Sequence, residues 1–137
     1  MRPKEAAKAV LKTYGNSLEG ILTALGLKVL EFRLAGRLKE IYLGKHIVLK
    51  ESLSPFEKRV LIAHALGHHF LHKGNHLYFA ERGYIWNRRQ EYEAEVFAAY
   101  LLIPEEVLNN LPHLSLWELA KHLKVPEDLM RFRLSLD

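Results

Sequence analysis

The spacing of apolar residues predicts that the chain begins with two helices. Alanine, valine and leucine recur every three or four positions over residues 3 to 14, which is the spacing of one face of a helix. The same period resumes at about Ser17 and stops at Gly26, a residue type that commonly ends helices. We therefore expect two amphipathic helices before any other element.

After Gly26 the pattern changes to that of strands. Three short segments rich in valine, isoleucine, leucine and aromatic residues are separated by turns that contain glycine. Together they predict a three-stranded antiparallel meander, with strands at residues 29–34, 39–43 and 46–50.

A long helix with a well-marked start follows the strands. Ser54 precedes Pro55, and Glu57 stands three residues after the serine, which is the pattern of a capping box with proline at the first helical position. Apolar residues at helical spacing then continue to Gly74. This segment predicts a central helix about 30 Å long at 1.5 Å per residue.

The rest of the chain predicts one further long helix and several short ones. Residues 75–86 have no clear period and are interpreted as a loop. The next helix is capped by residues 87–90, carries an apolar stripe and ends before Pro104. Short helices follow, marked by Pro104, by a capping box from Ser115 to Glu118 and by Pro126.

Length and composition narrow the class of protein. A chain of 137 residues suffices for a core of its own, so we expect a single domain over residues 1–137. There is no cysteine, which excludes disulfides and a catalytic thiol and requires any zinc site to use histidine and carboxylate ligands. The N-terminal residues form no long apolar run, so we expect neither a signal peptide nor a membrane span, and a soluble cytoplasmic protein.

The net charge of +4 does not by itself predict nucleic-acid binding. The 20 lysines and arginines are spread along the chain among 16 acidic residues, as on an ordinary solvated surface. The tail from Ser115 to Leu134 has the pattern of half a helix-turn-helix motif, so DNA contact stays open as a weaker alternative. Packing or recognition of a partner protein is the interpretation that we favour.

The strongest chemical signal is the segment His64-Ala65-Leu66-Gly67-His68 in the long helix. Two histidines four residues apart lie on one helical face and can bind a single metal ion. Zinc peptidases use His-Glu-x-x-His, in which the glutamate is the general base that activates water. Here Ala65 holds that position. A histidine pair alone is weak evidence for a metal site, because two histidines on one helical face also occur by chance at a surface or in a packed core.

The following helix supplies carboxylates for the same site. Glu91 and Glu95 share one face of an otherwise apolar stripe, where a carboxylate is costly to bury unless it is paired or binds a metal. We therefore predict that His64, His68 and Glu91 bind zinc. Glu95 is predicted to accept a hydrogen bond from the outer nitrogen of a ligating histidine, with solvent exposure as the alternative. Glu93 lies on another face and is predicted to be exposed.

These segments resemble the ImmA/IrrE-type metallopeptidases. Members of that family carry a His-Glu-x-Gly-His helix and then a helix of the form Glu-x-x-Ala-(Asn or Asp)-x-Phe-Ala that closes in Leu-Leu-(Met or Ile)-Pro. Residues 91–104 of this chain read Glu-Tyr-Glu-Ala-Glu-Val-Phe-Ala-Ala-Tyr-Leu-Leu-Ile-Pro. The resemblance extends to the N-terminal helices, the strands and the tail at 118–126, and so covers nearly the whole chain.

The resemblance implies an α+β zinc endopeptidase scaffold, with a small antiparallel sheet packed against a metal-binding helix pair and short C-terminal helices. Relatives of this kind act on helix-turn-helix repressors, which implies a protein substrate of that class. By position, the zinc ligands fall on His64, His68 and Glu91, and the catalytic glutamate falls on Ala65. Activity does not transfer at that position, so we expect a chain that binds zinc and has little peptidase activity.

Two explanations of Ala65 stay open: an engineered Glu→Ala substitution that traps an inactive enzyme, and a natural loss that leaves a repressor-binding module. His69 and His72 are not favoured by their spacing as substitute bases, and we expect both to be structural or exposed. For a bound peptide, the strand at 46–50 is the candidate sheet edge. The loop at 75–86 is a candidate lid.

Overall fold

The computed structural model describes residues 2–36, 39–72, 88–111 and 113–136. These ranges contain seven helices and one three-stranded sheet, which confirms the predicted α+β class. The strands are β1 (Lys28–Phe32), β2 (Glu40–Leu43) and β3 (His46–Lys50). The helices are α1 (Pro3–Tyr14), α2 (Leu18–Leu25), α3 (Pro55–Leu71), α4 (Arg88–Leu102), α5 (Glu105–Asn109), α6 (Leu116–Leu123) and α7 (Glu127–Ser135).

The sheet is mixed, so the predicted antiparallel meander is wrong in one pairing. β3 lies in the centre, antiparallel to β2 and parallel to β1. The three consecutive residues Ile47, Val48 and Leu49 of β3 are all buried, as expected of a strand that is covered on both faces. Most residues of β1 are exposed, as at a sheet edge. The strand at 46–50 is therefore not the edge that the sequence suggested, and the edges are β1 and β2.

The long helices α3 and α4 approach each other closely at Gly67. A Cβ atom on Gly67 would lie 2.9 Å from the Cα atom and 3.0 Å from the carbonyl oxygen of Ala94. These are backbone atoms that cannot rotate away, so the contact requires glycine. Leu66, which precedes Gly67, and Phe97, one turn after Ala94, are both fully buried. The crossing point thus lies beside His68 on one helix and close to Glu91 on the other.

Capping residues account for where the helices begin. The Oγ atom of Ser54 accepts a hydrogen bond from the backbone N–H of Glu57 at 3.1 Å, so α3 begins where the sequence predicts. The Glu57 carboxylate instead accepts a hydrogen bond from Lys39, 3.3 Å away. At α6, Ser115 and Glu118 form the complete predicted capping box. Helix α3 ends at Leu71; the predicted end at residue 74 and the predicted loop at 75–86 lie outside the described residues.

The C-terminal tail packs onto the rest of the structure. Helices α6 and α7 contact each other, and α7 contacts α4. Arg59 of α3 donates hydrogen bonds to the carbonyl oxygens of Leu123 and Lys124, at 2.7 and 2.8 Å, where α6 ends. These contacts favour the packing interpretation of the tail. Among the described residues, no helix is both long enough and apolar enough to span a membrane.

Candidate metal centre

Three side chains from two helices converge where α3 and α4 meet. His64 and His68 lie one turn apart on α3, and Glu91 lies in the first turn of α4. One possible ligand atom from each of the three lies within 4.8 Å of the others. Nε2 of His68 is 2.7 Å from Oε1 of Glu91, and Nε2 of His64 is 3.7 Å from Oε2. The structure thus brings together the three residues that the sequence suggested as ligands.

The chemistry of these donors fits a zinc ion. Zinc takes imidazole nitrogen and carboxylate oxygen ligands, and tetrahedral bonds of about 2.1 Å place neighbouring donor atoms about 3.4 Å apart. The two histidine–glutamate separations of 2.7 and 3.7 Å lie on either side of that value, and all three atoms lie within 4.8 Å of one another, so binding the ion requires the side chains to adjust around it. Three protein ligands would leave a fourth position open, as in catalytic zinc sites.

Both histidines direct Nε2 at the centre because Nδ1 contacts another residue. Nδ1 of His64 is 2.9 Å from Oε2 of Glu40, which begins β2. Nδ1 of His68 is 2.9 Å from Nδ1 of His72, the residue that follows α3. A ring that is held in this way keeps its orientation while the other nitrogen binds a metal.

Glu95 does not occupy the position that the sequence suggested for it. In the described part of the chain it makes no hydrogen bond to His64 or His68, although its charge contributes to raising the pKa of His64. The outer nitrogens are instead bound by Glu40 and His72. Glu40 carried no sequence signal, because the contact of β2 with α3 is not local. His72 did carry one, since it continues the four-residue spacing of His64 and His68.

Electrostatics prepare the centre for a cation. Burial keeps the pKa of His68 below its usual value, so its ring is neutral near pH 7. Burial alone would raise the pKa of Glu91, but the hydrogen bond from His68 and the charge of His64 lower it overall. Burial also lowers the pKa of His64, yet the carboxylates of Glu40, Glu91 and Glu95 outweigh this effect and raise that pKa to about 9. A metal ion would therefore displace a proton from His64.

Ala65 is fully buried next to His64, and its methyl group has no atom that can accept a proton. The two histidines considered as substitute bases have structural partners. Nδ1 of His69 and the Tyr42 hydroxyl form a hydrogen bond, and burial raises the pKa of Tyr42 to about 12. His72 is buried and contacts His68 and Glu93. The geometry thus agrees with structural roles for both histidines.

Comparison with protein families gives a match that covers most of the chain. A peptidase family model described as the IrrE N-terminal-like domain matches residues 22–135. The matched range begins within α2, ends at the last residue of α7 and includes His64, His68 and Glu91. The comparison with curated proteins gives no match.

Proposed function

Because this chain belongs to the family of IrrE N-terminal-like peptidase domains, we propose that it is a zinc metallopeptidase scaffold that binds its metal but lacks the general base. One observation carries the proposal: His64, His68 and Glu91 converge at the α3–α4 contact while Ala65 stands beside them. The ligand set supports metal binding, and the alanine supports low activity.

The residues of the site divide the work between them. His64, His68 and Glu91 would hold the zinc ion, which when bound polarises a peptide carbonyl and acidifies water. Glu40 accepts the Nδ1 proton of His64 and so keeps the Nε2 lone pair directed at the centre. Ala65 cannot take up a proton from the attacking water. A general base contributes about 10² to 10⁴ in rate, so without one the chain should still bind a substrate but should cleave it slowly by about that factor.

The proposed substrate is a protein, and the resemblance to ImmA/IrrE-type peptidases suggests a helix-turn-helix repressor. The mixed sheet supports a specific place for its peptide. Among the described strands, β2 lies at an edge of the sheet, which is the position where a peptide would pair as an added strand. Glu40 at the start of β2 contacts His64, and a peptide paired with β2 would therefore pass close to the metal centre.

A second candidate function is a repressor-binding module without catalysis. Its support is that the chain departs from the family pattern at the catalytic position, Ala65, and more mildly at Glu95, while it keeps His64, His68 and Glu91. In this case the metal would organise a binding surface. The third alternative, a DNA-binding regulator, requires salt-sensitive DNA binding. It has weaker support because α6 and α7 pack against the rest of the structure.

The test is to restore the base and supply a matched control. Ala65→Glu with zinc should cleave a helix-turn-helix repressor about 10² to 10⁴ times faster than the parent chain. Ala65→Gln has nearly the same size but no basic oxygen, and it should stay inactive. The glutamate variant must be folded and must bind both zinc and the repressor. If it then does not cleave the repressor, the peptidase proposal fails and the binding module stands.

A further inference from the structure

A chain of hydrogen bonds leads from the metal centre through two residues to the protein surface. Nδ1 of His68 is 2.9 Å from Nδ1 of His72, and Nε2 of His72 is 2.9 Å from Oε1 of Glu93. We propose that His72 and Glu93 are positioning residues that fix the tautomer of His68 and keep its Nε2 lone pair directed at the metal. This inference rests on the proposed function, since it requires His68 to be a ligand.

In the zinc-loaded site, the donors and acceptors of these hydrogen bonds follow from the outer end at Glu93. An ionised carboxylate only accepts hydrogen bonds, so Nε2 of His72 carries the proton and donates to Glu93. When that ring carries one proton, its Nδ1 is the acceptor. With zinc bound, Nδ1 of His68 donates to it and Nε2 offers its lone pair to the metal; without the metal, Nε2 instead holds the proton of its 2.7 Å hydrogen bond to Glu91. The reverse order would place a proton on Nε2 of His68, where a metal has to bind.

Burial makes this arrangement effective. His68 is fully buried and His72 is 6% exposed, so water competes little for their nitrogens. Only Glu93, with 29% of its side chain exposed, reaches solvent. From its position on the helix, Glu93 was predicted to be exposed. That prediction is wrong because His72, one turn beyond His68, extends the contact between α3 and α4 to Glu93.

The helix pair α3 and α4 supplies all the residues of this series of hydrogen bonds. Glu91 and Glu93 lie on α4 and contact His68 and His72, respectively. The backbone N–H of His72 donates to the carbonyl oxygen of His68 at 2.9 Å, which holds His72 one helical turn after His68. His64 depends on a different partner, Glu40. Changes at His72 should therefore act on one ligand alone.

The first measurement is zinc affinity by competition with a chelator, for the parent chain and three variants. His72→Leu removes the acceptor for His68 and should weaken zinc binding about 10- to 100-fold. His72→Asn places an amide oxygen where Nδ1 of His72 accepts, and it should restore most of the loss. His69→Leu removes a neighbouring histidine that is not part of this series of hydrogen bonds. The variant should bind zinc like the parent. Thermal melting of each variant separates loss of fold from loss of affinity.

The second measurement observes the tautomers directly. In ¹⁵N-labelled, zinc-loaded protein, two-bond proton–nitrogen spectra should show the Nδ1–H form of His68 and the Nε2–H form of His72. A proton on Nδ1 of His72, or parent-like affinity in a folded His72→Leu variant, would overturn the positioning role and leave the zinc proposal intact. A parent chain that binds no zinc, or binding that His64→Ala does not reduce, would overturn the proposed function and this inference with it.

Discussion

Nδ1 of His64 on helix α3 lies 2.9 Å from Oε2 of Glu40 on strand β2. This contact joins the sheet edge to the candidate metal centre. It orients one ligand through a direct charged hydrogen bond, whereas His68 is oriented through a second histidine. The sheet therefore has two roles in this account: it offers an edge for a peptide and a carboxylate for the site.

The role of Glu40 predicts a loss of zinc affinity when its carboxylate is removed. Glu40→Ala should weaken zinc binding about 10- to 100-fold, because the ring of His64 loses its partner. Glu40→Gln keeps an oxygen that can accept from Nδ1 and should lose less. Glu31→Ala is the matched control. The Glu31 carboxylate also contacts α3, 3.1 Å from the Nζ atom of Lys58, but this contact lies outside the site. Equal affinities for Glu40→Ala and Glu31→Ala would contradict the role of Glu40.

The raised pKa of His64, about 9, predicts opposite pH trends for stability and for zinc affinity. An unfolded histidine titrates at about 6.5, so the charged ring stabilises the metal-free fold below that pH. This contribution is lost as the pH rises through 9. Zinc competes with the same proton, so its affinity should rise over the same window.

Urea unfolding with a chelator, and zinc competition at a series of pH values, measure these two trends. A His64→Gln variant should lose the stability trend between pH 6.5 and 9, because its amide does not titrate. Zinc affinity of the parent chain that stays constant across this window would contradict the assignment of His64 as a protonated ligand position.

The close contact at Gly67 predicts that adding a single methyl group there would push α3 and α4 apart. Gly67→Ala should lower the free energy of unfolding by about 1 to 3 kcal/mol through overpacking against Ala94, and it should weaken zinc binding as Glu91 moves away. Gly20→Ala in α2 is the control, because its Cβ would lie 3.6 Å from Ser17, an ordinary contact. That change should stabilise the helix by about 0.5 to 1 kcal/mol. Denaturant unfolding compares the two.

Arg59 predicts how firmly the tail is attached. Arg59→Met removes two hydrogen bonds to the end of α6 and should lower the free energy of unfolding by about 1.5 to 3 kcal/mol. Lys58→Met removes only a surface ion pair with Glu31, which is worth about 0 to 1 kcal/mol. Similar losses for the two variants would argue against Arg59 as the link between α3 and the tail.

Local signals in the sequence predict the helices well. Pro55 after a serine cap marks the start of α3, and the spacing of apolar residues gives the observed bounds of α1, Pro3–Tyr14. These features depend on residues within a turn or two of each other. The candidate zinc ligands could be suggested for the same reason, because His64 and His68 share one helical face and Glu91 lies in the first turn of the next long helix.

Contacts between distant segments were not predictable in this way. The parallel pairing of β1 with β3 depends on which neighbour best covers the buried strand, and no short-range pattern encodes that choice. Glu40 and Glu93 are ordinary acidic residues until the fold brings them to His64 and His72. The residues that orient the ligands were therefore missed even though the ligands themselves were suggested.

The most direct test of the central claim is the zinc content of the purified chain and of His64→Ala, measured by elemental analysis on protein prepared without added metal. The account predicts about one zinc ion per parent chain and loss of that ion in the variant. An absence of zinc in both proteins, persisting after zinc is supplied, would contradict it. The function would then have to be sought in binding a partner without a metal.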